Sequence, residues 1–295
     1  MRAGARRAAL VTVGAAGLLL AGCATPEGID GDLVGAWGVM PEPVGFVPEV
    51  GVCHETEYLE NASLLDYQPV DCAAPHRTET VHVGVFEGEA AERVSPPEPG
   101  TAGWRDAFGQ CEDGAAEYLG ADFRHGPLWL GVTVPTVTAW EGGARWLRCD
   151  VVELDNDERE GSLAGALSGS SDLVLGCFVA EVDADEGWVE SLDPVPCTQT
   201  HDTEFVGVWH SSDSSYPEND SAWQRIHQGC RERVAEFADV PLDDNLPART
   251  GTIAVPMDKA DWDNGDRGIR CYLWLDGFEI TESLRDAGPE GLPIR

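Results

Sequence analysis

Cys72-Ala-Ala-Pro-His76-Arg-Thr-Glu79 returns as Cys197-Thr-Gln-Thr-His201-Asp-Thr-Glu204, a shared C-x3-H-x-T-E at an offset of 125 residues. Self-similarity of this kind, accompanied by further landmarks in the same order, is the signature of an internal repeat. Each copy is preceded by another cysteine, Cys53 or Cys177. Each then enters a run of strand character, Val81-His-Val-Gly-Val-Phe86 or Phe205-Val-Gly-Val-Trp209. In the first run Val81, Val83 and Val85 share one face, as a half-buried strand requires.

A helix is predicted next. Trp104, Cys111, Ala115 and Tyr118 in the first copy, and Trp223, Cys230, Val234 and Phe237 in the second, stand at offsets of 0, 7, 11 and 14, which places them on one stripe. Thr101 is the expected cap of the first helix and Ser221 or Asp220 of the second, with Gly120 and Pro241 marking where each has stopped. The stripe reads as core. Each copy closes with Val134-Pro135 or Val255-Pro256, then Trp140-x4-Arg145-x2-Arg148-Cys149 or Trp262-x4-Arg267-x2-Arg270-Cys271, then Ser162-Leu163 or Ser283-Leu284. The fold class expected is α+β: a tandem duplication of a small crosslinked domain, each copy a mostly antiparallel sheet with one main helix.

The start of the chain reads as an export signal. Arg2, Arg6 and Arg7 lead into an apolar run from Ala8 to Ala21, too short to span a bilayer comfortably. Its end, Leu20-Ala21-Gly22-Cys23, resembles a bacterial lipobox, in which the cysteine is acylated and becomes the first mature residue. The alternative is a plain signal peptide that leaves Cys23 as an odd thiol. The expected organisation is a signal over 1–22, a Gly- and Pro-rich tether over 23–44, copy one over 45–166, a connector from Ala164 to Asp172, and copy two over 173–290. Trp37 is a candidate to dock the tether.

Of nine cysteines, removal of Cys23 leaves an even number in an exported chain, so disulfides are the default. No C-x2-C pair occurs, and Cys53 and Cys72, the closest, are 19 positions apart, which argues against structural zinc. Within each copy three pairings are open. The favoured set is Cys53 with Cys72, Cys111 with Cys149, Cys177 with Cys197, and Cys230 with Cys271. This set clips one strand to the loop before the next, and the helix to the final strand. Closing such loops stabilises a fold by roughly 3–4 kcal/mol each in the chain-entropy model.

Fifty-three acidic against 19 basic residues set the formal net charge at -34. Such a surface repels nucleic acid and anionic lipid head groups, and it serves solubility outside the cell or a preference for cationic partners. Lys259 is the single lysine beside eighteen arginines.

The second copy, with Gly176-Cys177, Val195-Pro196-Cys197, His201-Asp-Thr-Glu204, Tyr216-Pro217, Cys230 and Trp262-x2-Gly265-Asp266-Arg267 before Cys271, resembles the actinobacterial septum formation family. The first copy keeps Cys72, Pro75-His76, Glu79, Cys111, Trp140, Arg145 and Cys149, but has Gly143-Ala144 where the pattern has Gly-Asp. Together the copies extend the resemblance over about 45–290. It implies an envelope module linked to division, and carries no catalytic mechanism over to named residues.

The sharpest chemical candidates are His76 with Glu79 and His201 with Glu204. On a helix this spacing shares a face and suits a metal or a general base. On a strand, where both pairs lead, the two side chains are expected to point apart. The structural reading makes the histidine a turn residue that satisfies backbone groups beside the disulfide. Arg145, Arg148, Arg267 and Arg270 suit an anionic ligand or, preferably, internal ion pairs, with Glu79 and Glu204 among the candidate partners. Asp261-Trp-Asp263-Asn264-Gly265-Asp266 fails the calcium-loop template and reads as an acidic turn. No G-x-S-x-G, H-E-x-x-H or P-loop occurs, and no resident cofactor is expected. The reading is a non-enzymatic, lipid-anchored module on the outer face of the cytoplasmic membrane. It is held there through Cys23 and binds an envelope protein or a cell-wall ligand. A metal-dependent hydrolase using the two His/Glu pairs and a solute-capturing lipoprotein are the alternatives.

Overall fold

The computed structural model describes residues 45–295 apart from 155, 157, 170 and 184–188. The expected signal, Cys23, the expected tether with Trp37, and Asp155 and Asp157 lie outside the described residues. In chain order the first sheet draws on β1 (Val52–His54), β2 (Asn61–Ala62), β3 (Pro69–Val70), β4 (Thr78–Val85), β5 (Leu128–Pro135) and β6 (Trp146–Glu153). Its helices are α1 (Gly88–Ala91), α2 (Ala102–Leu119) and α3 (Val137–Glu141). The second sheet takes β7 (Cys177–Val182), β8 (Val189–Val195), β9 (Thr203–His210), β10 (Gly251–Pro256) and β11 (Gly268–Trp274), with α4 (Asp220–Ala238), α5 (Lys259–Asn264) and α6 (Gly288–Gly291).

The main helices form where the apolar stripe and its capping residues coincide. Thr101 accepts a hydrogen bond from the Trp104 amide and Gly120 closes α2 in the left-handed region at φ 88°. In α4 the cap is Asn219, whose side chain accepts from the Ala222 amide at 3.0 Å, not Ser221 or Asp220. Asp220 is instead the first helical residue, where its charge favours the positive end of the helix dipole. The helix ends at Ala238 with Asp239 as its left-handed cap at φ 52°, ahead of Pro241. Both stripes face their own sheet. Cys111, Ala115, Cys230 and Val234 have no exposed surface at all, and a Cβ on Gly114 would stand 2.2 Å from the His82 ring of β4. Glycine is therefore what lets α2 settle onto that strand.

The sheets have orders β2-β5-β6-β4-β1-β3 and β10-β11-β9-β7-β8. All their pairings are antiparallel except β2 with β5. Cys149 stands opposite Val132 and His82, and Cys271 opposite Ala254 and Gly207. Counted from those cysteines, Val134 is matched by Pro256. The two Val-Pro pairs, which align in sequence, are therefore one register apart in the sheets.

Four disulfides join Cys53 to Cys72, Cys111 to Cys149, Cys177 to Cys197 and Cys230 to Cys271, the set favoured on sequence. The second and fourth tie the main helix of each half to an inner strand beneath it, β6 or β11. The connector over 164–172 is no free linker: Leu167 is buried in the first core, and the amides of Gly165 and Leu167 donate to the carbonyls of Tyr118 and Leu119.

Residues 45–295 form one compact unit, and the joint between its halves is ionic. Arg124, 1% exposed, extends Nη2 to Asp266 at 2.6 Å and to Glu112 at 2.6 Å, and Nη1 to Asp122 at 3.0 Å. Burial works against its charge, but Asp266, Asp122 and Glu112 outweigh that and hold the guanidinium above its ordinary range. Gly268 sits directly under it, where a Cβ would fall 2.1 Å from Nε. Arg270 crosses the same joint and donates to the carbonyls of Arg124, Gly126 and Leu128.

Replacing Arg124 with Met strands three carboxylates in or beside a dry joint. A loss of about 3–5 kcal/mol is expected from removing one partner of a buried ionic cluster, read as a shift of the urea unfolding midpoint.

Candidate functional site

The chain turns over residues 72–74 and bends again at Arg77 before β4 begins at Thr78, so His76 lies outside the regular strand. Its backbone forms an isolated bridge with Arg159, amide to carbonyl at 2.9 Å in both directions. His201 forms the same bridge with Ile280. This turn cancels the alternation that separates strand neighbours. Ligand atoms of Cys53, His76 and Glu79 come within 4.8 Å of one another, as do those of Cys177, His201 and Glu204. The expectation that each pair diverges is thus corrected: imidazole and carboxylate meet.

Each histidine places Nδ1 on a backbone carbonyl, Ala74 at 2.9 Å or Gln199 at 2.7 Å. This is the backbone-satisfying turn role. His201 Nε2 stands 3.7 Å from Glu204. The carboxylates are fully engaged elsewhere. Glu79 Oε1 accepts from Tyr118 Oη and Ser162 Oγ, each at 2.6 Å, and Oε2 accepts from the Leu163 amide at 2.7 Å. Glu204 repeats the grip on Ser283 Oγ at 2.6 Å and the Leu284 amide at 2.7 Å. The serines then accept from the amides of Ala164 and Arg285, closing small turns. A glutamate on the second residue of a strand, buried to 0% or 2% exposure, therefore latches the segment that leaves the final strand.

None of the four arginines reaches Glu79 or Glu204; the expected internal ion pair is made by Arg148, with Asp150 instead. Arg145 stacks on the Trp140 ring with its guanidinium carbon 4.1 Å from the centroid, and donates to the carbonyls of Trp140, Ala144 and Ala91. Arg267 stacks on Trp262 at 4.8 Å and donates to the Trp262 carbonyl. The W-x4-R spacing therefore caps a short helix with its own arginine. Arg148 pairs with Asp150 at 2.8 Å, inside a buried chain in which Thr80 and Thr133 donate to the same carboxylate and His54 Nε2 bonds Thr80 at 3.0 Å. Burial first, and Arg148 second, pull the His54 imidazole down to about 4. In the second sheet Tyr272 takes the place next to Cys271 that Asp150 takes next to Cys149. Arg270 accordingly turns to the carbonyls across the joint.

The acidic turn is the short helix α5 and its exit. Asp258 caps it, Asp266 holds Arg124, and Asp261 accepts from Trp129 Nε1 at 3.0 Å. Burial, foremost, pushes the Asp261 carboxyl up to about 6. The Gly-Asp of the second copy, Gly-Ala in the first, is the sequence signal that marks this joint. Arg124, a lone cation in the apolar run Phe123 to Leu130, is the second. Glu112 and Asp122 carry no such signal, because acids are everywhere in this chain.

Chemically, the paired stations hold rather than react. Their sulfurs are spent in disulfides and offer no thiolate. Both oxygens of each glutamate accept hydrogen bonds, which leaves a single histidine nitrogen per station as a ligand atom. The donor set as it stands does not fit a metal, and the hydrolase alternative gains nothing from it.

A family model described as septum formation matches residues 50–271. No curated protein and no solved structure matches the chain.

Glu79→Gln and Glu204→Gln each turn an amide N–H toward donors that need an acceptor. Each is expected to lower stability by about 1–3 kcal/mol, with a matching fall in urea midpoint. Asp261 has a folded pKa of about 6, raised above its ordinary 3.8. Its contribution to stability is therefore complete below pH 3.8 and lost as pH rises through 6. Thermal unfolding followed from pH 4 to 7 should show this loss in the native chain and a flatter profile in Asp261→Asn.

Proposed function

The chain belongs to the septum formation family, and from that premise we propose that it is a lipid-anchored, extracytoplasmic module acting in septation by binding a protein or cell-wall partner. The family match is the observation that carries this reading. The export-like start and the Leu20-Ala21-Gly22-Cys23 ending support anchoring through acylated Cys23. Disulfides belong to an oxidising compartment, and the four present accord with a site outside the cytoplasm. Among the described residues no helix is long and apolar enough to cross a membrane; in this reading the lipid is the attachment.

We read the two halves as a tandem duplication. Shared strand order, paired cysteines at the same sheet positions and the repeated glutamate latch support it. Duplication also explains why the same arginine serves differently in each half. A binding module is favoured over a catalyst because the reactive residue types are consumed in bracing the fold. The net negative charge directs the choice of partner toward cationic surfaces and away from nucleic acid.

The test is localisation in the native host. A fluorescent fusion of the full chain is expected in the membrane fraction and concentrated at division septa, with Cys23→Ser released from the membrane. Uniform distribution in dividing cells, together with unchanged septum placement on deletion, overturns the septation reading.

A further inference from the structure

The two sheets differ at one edge. Strands β5-β6-β4-β1-β3 of the first are matched position for position by β10-β11-β9-β7-β8 of the second, and β2 is left over. It lies parallel to β5, with Asn61 opposite Val134 and Ala62 opposite Pro135. The Val134 amide donates to the Glu60 carbonyl at 2.9 Å and the Thr136 amide to the Ala62 carbonyl at 3.2 Å. The Tyr58 hydroxyl donates to the Val132 carbonyl at 2.6 Å. Under this cover every residue of β5 except Trp129 is buried. Among the described residues no strand covers β10, and of its residues Ile253 alone is buried.

The backbone groups left over can be assigned. Arg267 accepts from the Ser211 amide on the β9 side. Alternation along β11 therefore turns Arg270, Tyr272 and Trp274 toward β10, where they face Val255, Ile253 and Gly251. Thr252 and Ala254 then direct N–H and C=O outward, joined by the Pro256 carbonyl. Beside them runs a groove of about 680 Å³ walled by Tyr216, Trp223, Trp274 and Val189. Trp223 is half-buried there, whereas Trp104, at the same point of the other helix stripe, is 2% exposed. The charged groups lining the groove are Glu218 and Asp220. His227 is held below its ordinary pKa by burial and then by Arg231.

We propose that the open edge of β10 is the docking site of an extended, cationic segment of a partner protein, which adds as a strand along the outward groups of Thr252 and Ala254 and seats alternate apolar side chains against Trp223 on the helix face of the sheet and Trp274 on the opposite face. Main-chain hydrogen bonds supply the affinity, and the aromatic wall and the two carboxylates supply the choice of side chains. The proposal deepens the partner-binding reading and rests on it. It names where and what the module binds.

The test uses the full mature chain and a synthetic peptide of residues 57–63 carrying Glu57→Lys and Glu60→Lys, titrated by calorimetry and tryptophan fluorescence. Saturable one-to-one binding is expected, at least tenfold tighter than for the unsubstituted acidic peptide. Ala254→Pro removes one outward N–H at an edge position where proline is tolerated, and should weaken binding at least tenfold at an unchanged unfolding midpoint. Should that variant not fold, Glu218→Lys with Asp220→Lys decides, and should abolish the preference for the cationic peptide. No saturable binding to the native chain overturns the proposal. So does equal binding by the folded variants, or a dimer in sedimentation that Ala254→Pro dissolves, since a second copy would then be the occupant. None of these outcomes bears on septal localisation, which the fluorescent fusion reads separately.

Discussion

A guanidinium enclosed at 1% exposure must be met by negative charge at close range, and Arg124 is met by Asp266, Asp122 and Glu112. Asp266 belongs to the second half of the chain, while Glu112 and Asp122 belong to the first. The neutralisation is complete only when both halves are in place. Burial pushes the Asp122 carboxyl upward, but His210, also from the second half, and Arg124 outweigh it and hold that carboxyl well below its ordinary range. Arg270 extends the joint by answering three carbonyls of the first half that would otherwise lack donors. Because ionic and backbone groups are desolvated together, the halves act as one body, and the surfaces they present are fixed relative to each other.

Within each half the same logic operates at smaller scale. A disulfide ties the helix to an inner strand, β6 or β11, and a buried glutamate on the neighbouring β4 or β9 grips the segment that leaves the sheet. The two devices act at different distances along the chain. The disulfides limit the unfolded state, and the glutamate latch orders a segment in the folded state that has no ladder of its own. Histidine completes the station by satisfying the turn that brings the chain into the strand. The carboxylate and the disulfide of each station are thus engaged in holding the fold.

The halves diverge where function is expected to reside. In the first, a looped segment folds back over the β5 edge and Trp104 is sealed in the core. In the second, β10 is left half-exposed and Trp223 opens onto a groove. A buried edge serves stability, whereas an open edge beside aromatic walls serves recognition. The two halves thus differ at one edge, covered in the first and open in the second.

The sequence by itself determined the internal similarity, the α+β class and the two main helices, because periodicity and spacing along the chain are local quantities; it favoured one cysteine pairing of three in each half, and the folded chain selected that one. It also marked the residues that matter, His76, Glu79, His201, Glu204 and the four arginines, without marking their partners. Only the tertiary structure decided that Glu79 and Glu204 grip returning turns, that Arg145 and Arg267 stack on tryptophans, that Asn219 caps α4, and that Val134 is matched by Pro256. Arg148 and Arg270 stand at the same position in their strands. One met Asp150 two residues along and the other met the first half of the molecule. The partner of a buried charge is whatever the folded chain brings within a few ångströms, and that distance is set by packing rather than by order along the chain.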